Sequence, residues 1–298
     1  MRALILSGGG YRGVFEAGYL IARNWNFDVV FGTSVGALNG MMVAQDKRNH
    51  LGDIWASVIH DGLRFHRKPK WYEYITFLNR FGRLGYYTNN IKDIVKQHIG
   101  TFTRPYICTV SDLIYGKLWY VAIANSGSDY ACEWRNPNSS VVVKRIADAE
   151  EVANIITAST SIPGMFPPIK LHDMYLVDGG VRDITPLSEA IRVGADHLTI
   201  VNCSPSYIDK EAAPKNVVDV VTRSIGILTH EIDRNDVGMA KLCNKLAEEE
   251  FEIDGKHYRH VDIEIVRPDK NYIQDSLNPT REQLLEAYGY GVDKACQQ

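Results

Sequence analysis

The first 45 residues alternate between short apolar runs and longer amphipathic segments. Arg2–Leu6 and Asp28–Phe31 are mostly apolar runs bounded by polar or glycine positions, which predicts two buried strands. Val14–Asn24 and Val35–Ala44 carry small and apolar residues at helical spacing, which predicts two helices. Because strands and helices alternate in this order, we expect a parallel sheet with helices on its faces.

The rest of the chain continues this alternation with longer helical segments. We expect strands at Pro105–Leu113, Lys117–Ala124, Tyr175–Val177, His197–Asn202 and Val261–Val266, and helices at Leu51–Ile59, Trp71–Phe81, Asn90–His98, Ala147–Ala158, Pro186–Arg192, Asn216–Glu249 and Arg281–Ala295. No internal repeat or low-complexity linker interrupts them. The pattern therefore predicts one α/β domain over residues 1–298.

Composition and charge narrow the functional classes. The chain has 298 residues, of which 45% are hydrophobic and 23% charged, and its net charge of −3 is spread along its length. Such a chain has no basic patch of the kind that binds nucleic acid. The five cysteines are far apart and form no Cys-x-x-Cys pair, which is typical of reduced thiols in a cytoplasmic protein.

Apolar stretches are short throughout. None approaches the roughly 20 residues that a transmembrane helix needs, and the first run is too short for the core of a signal peptide. We therefore expect a cytoplasmic protein whose contact with membranes, if it has one, is peripheral.

A glycine-rich loop follows the first predicted strand, with the sequence Gly8-Gly9-Gly10-Tyr11-Arg12-Gly13. Consecutive glycines let the backbone turn several N–H groups toward one point, and the helix that follows adds its positive end, so the loop can stabilise an oxyanion. The same glycines fit the dinucleotide pattern G-x-G-x-x-G, although Asp28 stands at the wrong end of the second strand to hold a ribose. A plain strand-to-helix turn is the remaining interpretation.

A candidate nucleophile follows the second strand in Gly32-Thr33-Ser34-Val35-Gly36. Gly-x-Ser-x-Gly between a strand and a helix is typical of a tight turn that exposes a strained serine hydroxyl. The two glycines, Gly32 and Gly36, leave room for that turn. The alternative is that Ser34 only caps the helix that begins after it.

The base that would activate Ser34 has several candidates. An ordinary hydrolase places Asp and then His after its serine, and His257 and His260 come late enough, but their neighbours predict a surface hairpin. Asp178 ends a short apolar strand and precedes two glycines, Gly179 and Gly180, so its carboxylate can point out from a sheet edge. An ordinary Asp-Gly turn explains the same residues equally simply.

Taken together, the motifs resemble the patatin-like phospholipases in their compact bacterial or viral form. The match comprises Gly-Gly-Gly-x-Arg-Gly at Gly8–Gly13, Gly-x-Ser-x-Gly at Gly32–Gly36, Ala-Ser-x-Ser-Ile-Pro-x-x-Phe-Pro-Pro at Ala158–Pro168, and Asp-Gly-Gly at Asp178–Gly180. Many members carry an asparagine before the proline that follows, where this chain has Thr185-Pro186, so the surroundings of Asp178 are expected to differ. The motifs occupy residues 1–194, and residues 195–298 are expected to complete the α/β domain.

The resemblance implies a three-layer α/β/α fold with a mainly parallel central sheet, and a Ser–Asp dyad without histidine. Ser34 would be the nucleophile and Asp178 the base, with Gly32 and Gly36 forming the elbow. The oxyanion hole would come from the loop residues Gly8, Gly9, Gly10, Arg12 and Gly13. The implied activity is hydrolysis of lipid acyl esters (phospholipids, lysophospholipids or neutral lipids) without a metal or other cofactor, and no EF-hand-like calcium loop is present in the sequence.

One further stretch, residues 64–87, interleaves aromatic and basic side chains, with Glu73 as its one acidic residue. Such a mixture suits a lipid-headgroup contact or a lid over a substrate. It is also typical of a helical layer with aromatic residues in the core and charges in solvent. Both interpretations stay open, and nucleic-acid stacking is disfavoured by the neutral remainder of the chain.

Overall fold

The computed structural model describes residues 1–24, 26–66, 88–125, 141–146, 148–210, 213–214, 217–249, 252–253, 256–257 and 259–297. The predicted helix Trp71–Phe81 and most of the basic-aromatic stretch 64–87 lie outside these residues. In the described part of the chain, no helix is both long and apolar enough to cross a membrane.

A mixed but mainly parallel sheet forms the centre of the molecule. Its strands are β1 (Arg2–Leu6), β2 (Val29–Gly32), β3 (Tyr106–Asp112), β4 (Lys117–Asn125), β5 (Val141–Ile146), β6 (Ile169–Leu171), β7 (Met174–Asp178), β8 (His197–Val201) and β11 (Asp262–Val266). The order is β11-β8-β1-β2-β3-β4-β5, with β7 beside β3 and β6 beside β7. β11, β8, β1, β2 and β3 run parallel to one another, while β4 and β7 run antiparallel to β3. A separate antiparallel pair joins β9 (Glu252–Ile253) to β10 (Lys256–His257).

Helices cover both faces of this sheet. They are α1 (Gly13–Ala22), α2 (Val35–Ala44), α3 (Arg48–His60), α4 (Asn89–His98), α5 (Ala149–Ser159), α6 (Leu187–Arg192), α7 (Val217–Glu248) and α8 (Arg281–Cys296). Alternate residues of β1 point to opposite faces: Leu4 and Leu6 pack with α1 to α5 and α8, whereas Ala3 and Ile5 pack with α6 and α7. The predicted three-layer α/β/α fold is confirmed.

Most predicted elements agree with the structure within one or two residues. The late segment predicted as a surface hairpin is the β9–β10 pair. The prediction missed β5 and β6, and β6 has only three residues, too few for a period-two pattern to be recognised.

The parallel strands give the sheet two unlike edges. β1, β2, β3, β8 and β11 all end at one edge, which we call the carboxyl edge, and begin at the other, which we call the amino edge. The glycine loop follows β1 at the carboxyl edge, and Ser34 follows β2 there. Open parallel sheets bind ligands at this edge, so the fold brings the two glycine motifs to the place where a site is expected.

Candidate active site

Ser34 occupies a strained turn between β2 and α2. Its backbone angles are φ 58° and ψ −126°, a positive φ that non-glycine residues rarely adopt. A Cβ at Gly32 would lie 2.4 Å from the carbonyl oxygen of Gly36, and a Cβ at Gly36 would lie 2.3 Å from that of Leu6. The turn therefore requires both glycines. The Ser34 side chain makes no capping hydrogen bond to α2, so the helix-cap interpretation is wrong.

Asp178 is the last residue of β7 and pairs with Val110 of β3. Its side chain is buried, and its Oδ1 accepts a hydrogen bond from the Gly180 amide at 2.8 Å. Burial raises the pKa of Asp178 to about 7, although hydrogen bonding with the Ser34 side chain and the Gly180 amide lowers it. The structure thus brings Ser34 and Asp178 together, and the pKa of the Asp178 carboxyl group lies near neutral pH.

The glycine loop lies directly against the serine. A Cβ at Gly8 would be 2.9 Å from the Cβ of Ser34, and Gly10 has a positive φ of 58°. None of the described residues accepts a hydrogen bond from the amide N–H groups of Gly8, Gly9 or Gly10. These three amides are available for an anion beside Ser34.

Arg12 and Gly13 have a different role from the one predicted. The Arg12 amide donates to the Gly9 carbonyl at 3.2 Å, and the Gly13 amide donates within the short 3-10 turn Gly10–Arg12. The Arg12 guanidinium donates to the carbonyls of Ile273 and Gln274 at 2.9 and 3.1 Å. Arg12 therefore fixes the loop to a distant segment. Gly13 lets α1 approach α2, since a Cβ there would lie 2.5 Å from Val35.

The motif Ala158–Pro168 supports both Ser34 and Asp178. Ser159, at the end of α5, accepts a hydrogen bond from the Ser34 amide through its hydroxyl at 3.0 Å. The carbonyl of Ser161 accepts one from the Asp178 amide at 2.9 Å. Reasoning from the sequence found this motif as a family signature and missed what its serines do.

The segment after Asp178 is anchored without the asparagine that the resemblance led us to consider before Pro186. Asp183 accepts hydrogen bonds from the Tyr120 hydroxyl at 2.7 Å and from the Thr185 amide at 3.1 Å. The Thr185 hydroxyl donates to Asp233 at 2.8 Å, and Arg267 pairs with the other oxygen of Asp233 at 2.7 Å. A buried polar network thus replaces the expected residue.

Glu16, which sequence reasoning missed, lies fully buried behind the glycine loop. Its Oε2 accepts a hydrogen bond from Asn39 of α2 at 2.9 Å, and Asn39 accepts one from the Trp55 indole at 3.0 Å. Burial raises the pKa of Glu16 to about 8, although hydrogen bonding with Asn39, Cys203 and Ser7 lowers it. A protonated glutamic acid therefore links α1 to the helix that follows Ser34.

The structure does not bring His260 to Ser34. The ring of His260 faces Glu248 and Asp262 at 3.5 and 3.7 Å, and Asp262 starts β11 at the amino edge. Ser34 stands beyond the opposite end of the sheet, at least about 13 Å away at a strand rise of about 3.3 Å per residue. His257 belongs to β10, three residues earlier, and its side chain lies outside the described part.

Two features lie near Tyr11 of the glycine loop, which contacts His66 and donates a hydrogen bond to the Ser276 carbonyl next to Leu277. Ile162, Met165, Phe166 and Leu277 form a small apolar cluster next to the Ser161 support. A cavity of about 690 Å³ is lined by Leu277 and by the polar residues Arg64, His66, Asn90 and Asn278, with Gly62, Leu63 and Pro279 completing it. Phe65, in the first turn of the basic-aromatic stretch, is buried and stacks on Tyr11 at 5.1 Å.

Comparisons with known proteins identify the family of this chain. A family model described as patatin-like phospholipase matches residues 4–191. The uncharacterized protein YjjU of Escherichia coli K12 is 27% identical over 211 residues, which cover 69% of this chain and 53% of that protein. Lysophospholipase NTE1 of Lodderomyces elongisporus is 24% identical over 207 residues, covering 67% of this chain and 12% of that protein.

Another relative, lysophospholipase NTE1 of Meyerozyma guilliermondii, is 25% identical over 210 residues, covering 67% of this chain and 12% of the yeast protein. The chain thus spans about half the length of YjjU and about an eighth of the yeast proteins. The family model covers more than half of this chain, and its range includes both Ser34 and Asp178. This chain belongs to the patatin-like phospholipase family.

Proposed function

We propose that this chain is a serine acyl hydrolase that cleaves carboxylic ester bonds of lipids through a Ser34–Asp178 dyad and an acyl-enzyme. The observation that carries the proposal is the juxtaposition of a strained serine with a buried aspartate whose pKa is about 7. A general base works best when its pKa lies near the working pH. An ordinary aspartate, with a pKa near 3.9, would be a weak base toward a hydroxyl.

In the first step, Asp178 removes the proton from Ser34 Oγ while that oxygen attacks the ester carbonyl carbon. The turn at Ser34 brings its side chain close enough to the Asp178 carboxyl group to lower the pKa of that group. Ser159 and Ser161 hold the two backbones in place through their own hydrogen bonds. The dyad needs no histidine to orient it.

The negative charge that forms on the carbonyl oxygen falls beside the glycine loop. We assign the oxyanion hole to the amides of Gly8, Gly9 and Gly10, because no described residue uses them. Each such donor is worth about 3 kcal/mol in other acyl-transfer enzymes. The N-termini of α1 and α2 add positive potential at the same place.

In the second half of the reaction, Asp178 returns its proton to the leaving alcohol, and the acyl group stays on Ser34. A water molecule then attacks the acyl-enzyme while Asp178 accepts one of its protons. The fatty acid leaves, and Ser34 regains its hydrogen. No step requires a metal or an organic cofactor.

The substrate class follows from the family and from its relatives. The yeast relatives are named lysophospholipases, so a lysophospholipid is the first substrate to test, before diacyl phospholipids and neutral acyl esters.

We further propose that residues 1–298 form one cytoplasmic hydrolase domain. Residues 1–194 carry the motifs, and the C-terminal part completes the site: the Ser276 carbonyl accepts the Tyr11 amide at 2.9 Å, and the Cys203 side chain packs against Gly9. These contacts tie the glycine loop to residues beyond the family match.

The deciding experiment is labelling with a fluorescent fluorophosphonate, together with hydrolysis of a short 4-nitrophenyl ester. Wild type should be labelled and active, whereas Ser34→Ala and Asp178→Asn should lose labelling and at least 10³-fold in kcat/KM. His260→Ala is the matched control and should behave as wild type. If Asp178→Asn keeps most of the activity, the dyad is rejected. If folded wild type neither reacts with the probe nor hydrolyses any ester, the hydrolase proposal is rejected.

A further inference from the structure

The turn between β3 and β4 exposes three consecutive apolar side chains. Leu113, Ile114 and Tyr115 are 56%, 53% and 68% exposed. Tight turns usually carry Gly, Asn, Asp, Ser or Pro, and here only Gly116, with φ 61°, fits that rule. We call Leu113–Gly116 the tip. Apolar side chains at a turn that does not need them point to a contact outside the chain.

The tip projects from the carboxyl edge beside the candidate dyad. Val110 of β3 pairs with Asp178, and the strand continues three more residues to Leu113. At about 3.3 Å per residue, the tip begins about 10 Å beyond the dyad. A surface that contacts the tip would therefore lie at the same edge of the sheet as the candidate dyad.

Hydrogen bonds hold the tip in one conformation. The Leu113 amide donates to the Tyr175 carbonyl at 2.9 Å, and the Ile114 amide donates to the buried carboxylate of Asp112 at 3.0 Å. The Arg182 guanidinium donates to the Gly116 carbonyl. Because the turn is already ordered, binding through it costs little conformational entropy.

Exposed cations surround the apolar tip. Lys117 follows it directly, Arg182 bonds it, and Lys170 stands opposite Tyr175 in the neighbouring β6–β7 hairpin. The exposed turn of that hairpin adds one carboxylate, Asp173. The surroundings are therefore positive. A tip-to-tip contact between two copies would bring these cations together, which disfavours a second copy as the partner.

We propose that the tip docks the protein on an anionic membrane, with Leu113, Ile114 and Tyr115 entering the boundary between headgroups and acyl chains. Apolar side chains beside basic ones bind such surfaces through buried apolar area and attraction to anionic lipids. The inference rests on the proposed function, because docking at this edge would hold the candidate dyad against its lipid substrate.

The test measures binding to phosphatidylcholine vesicles with and without 30% phosphatidylglycerol, by co-sedimentation in the Ser34→Ala background, so that hydrolysis cannot alter the vesicles. The double substitution Ile114→Ser with Tyr115→Ser should lower partitioning at least tenfold. Its matched control, Met239→Ser with Leu242→Ser, removes two exposed apolar residues of α7 and should leave partitioning unchanged. Lys117→Glu with Lys170→Glu should abolish the preference for anionic vesicles.

Equal partitioning of the tip variant and its control would overturn the inference, as would a wild type that ignores anionic vesicles. A tip variant whose native mass falls from dimer to monomer would also overturn it, by making the tip a contact between copies. Hydrolysis of the soluble 4-nitrophenyl ester is measured in parallel with an intact Ser34, and the tip variants should retain it. If wild type fails that assay, the proposed function fails, while the vesicle result still decides the docking.

Discussion

The two edges of the sheet are formed by the same strands, but they differ in whether their polar and ionisable side chains are buried or exposed. At the carboxyl edge, Ser34, Asp178 and Glu16 are all buried. At the amino edge, ionisable groups pair in solvent: His197 with Asp262 at 2.8 Å, and His260 with Glu248 at 3.5 Å.

Two aspartates show what this difference does. Burial raises the pKa of Asp178 to about 7 at the carboxyl edge. At the amino edge, a hydrogen bond from the N-terminal ammonium lowers the pKa of the exposed Asp196. The same residue type thus becomes a candidate base at one edge, whereas at the other its ionised form is favoured. Desolvation decides the chemistry, and the residue type alone does not.

The largest effect is expected from a substitution that crowds the turn at Ser34. Gly36→Ala would place a Cβ 2.3 Å from the Leu6 carbonyl oxygen, and neither backbone can move without breaking the turn. We expect a loss of at least about 3 kcal/mol in the free energy of unfolding, measured by urea denaturation. The control is Gly226→Ala in α7, where an added Cβ would have no neighbouring atom within 4 Å. This variant should gain up to about 1 kcal/mol in the free energy of unfolding. Equal stability of the two variants would refute the crowding argument.

The next effect is a pH dependence of activity that belongs to the carboxyl edge. In the proposed mechanism the carboxylate form of Asp178 is the base, and the pKa of this group is about 7. We therefore expect kcat/KM for the soluble ester to rise about tenfold per pH unit up to roughly pH 7 and then to level off. His260→Ala should show the same profile. A rate that stays constant from pH 5 to 8 would remove Asp178 from the role of base.

A smaller effect should appear in stability through Glu16. An unfolded glutamate loses its proton near pH 4.5, whereas the buried one keeps it to about pH 8. The folded state therefore loses relative stability as the pH rises through this window. Glu16→Gln cannot ionise, so we expect it to gain on the order of 2 kcal/mol over wild type between pH 5 and pH 8. The measurement is urea denaturation at both values, and a pH-independent difference would contradict it.

The smallest effects are expected at the amino edge. His260→Ala and Asp262→Asn remove exposed contacts between histidine and acidic side chains, and even a fully charged exposed pair contributes only about 0–1 kcal/mol. Both variants should unfold within about 0.5 kcal/mol of wild type and keep kcat/KM within twofold. A loss of 100-fold in kcat/KM for His260→Ala would instead support a catalytic triad with histidine and would contradict the contrast between the two edges.

Local patterns predict the first half of the fold well. β1 and α2 have the predicted bounds, because polar or glycine residues flank a short apolar run in β1 and a run rich in small and apolar residues in α2. Ser34 and Asp178 were found the same way, since each stands at a strand end that a glycine motif defines. These signals are all contained within a few neighbouring residues.

Long-range contacts account for what the sequence does not indicate. No local sequence pattern indicates that the Arg12 amide donates a hydrogen bond inside its own turn, while the Gly8 amide has no acceptor among the described residues. Glu16 looks like a solvent-facing helix residue, yet α1 is covered by α2 and α8, so its carboxyl group is buried. The support that Ser159 gives to Ser34 spans 125 residues and depends on the completed sheet.

The contact between α1 and α8 sets a limit on how this glycine loop can be transplanted. A Cβ at Gly18 would lie 2.3 Å from the Tyr288 carbonyl oxygen, and one at Gly291 would lie 2.3 Å from that of Phe15. The two helices thus meet backbone to backbone, just behind the loop that Arg12 clamps to Ile273. A chimera that grafts residues 4–191 onto another scaffold would leave its loop without this buttress. The smallest portable unit therefore includes both ends of the chain.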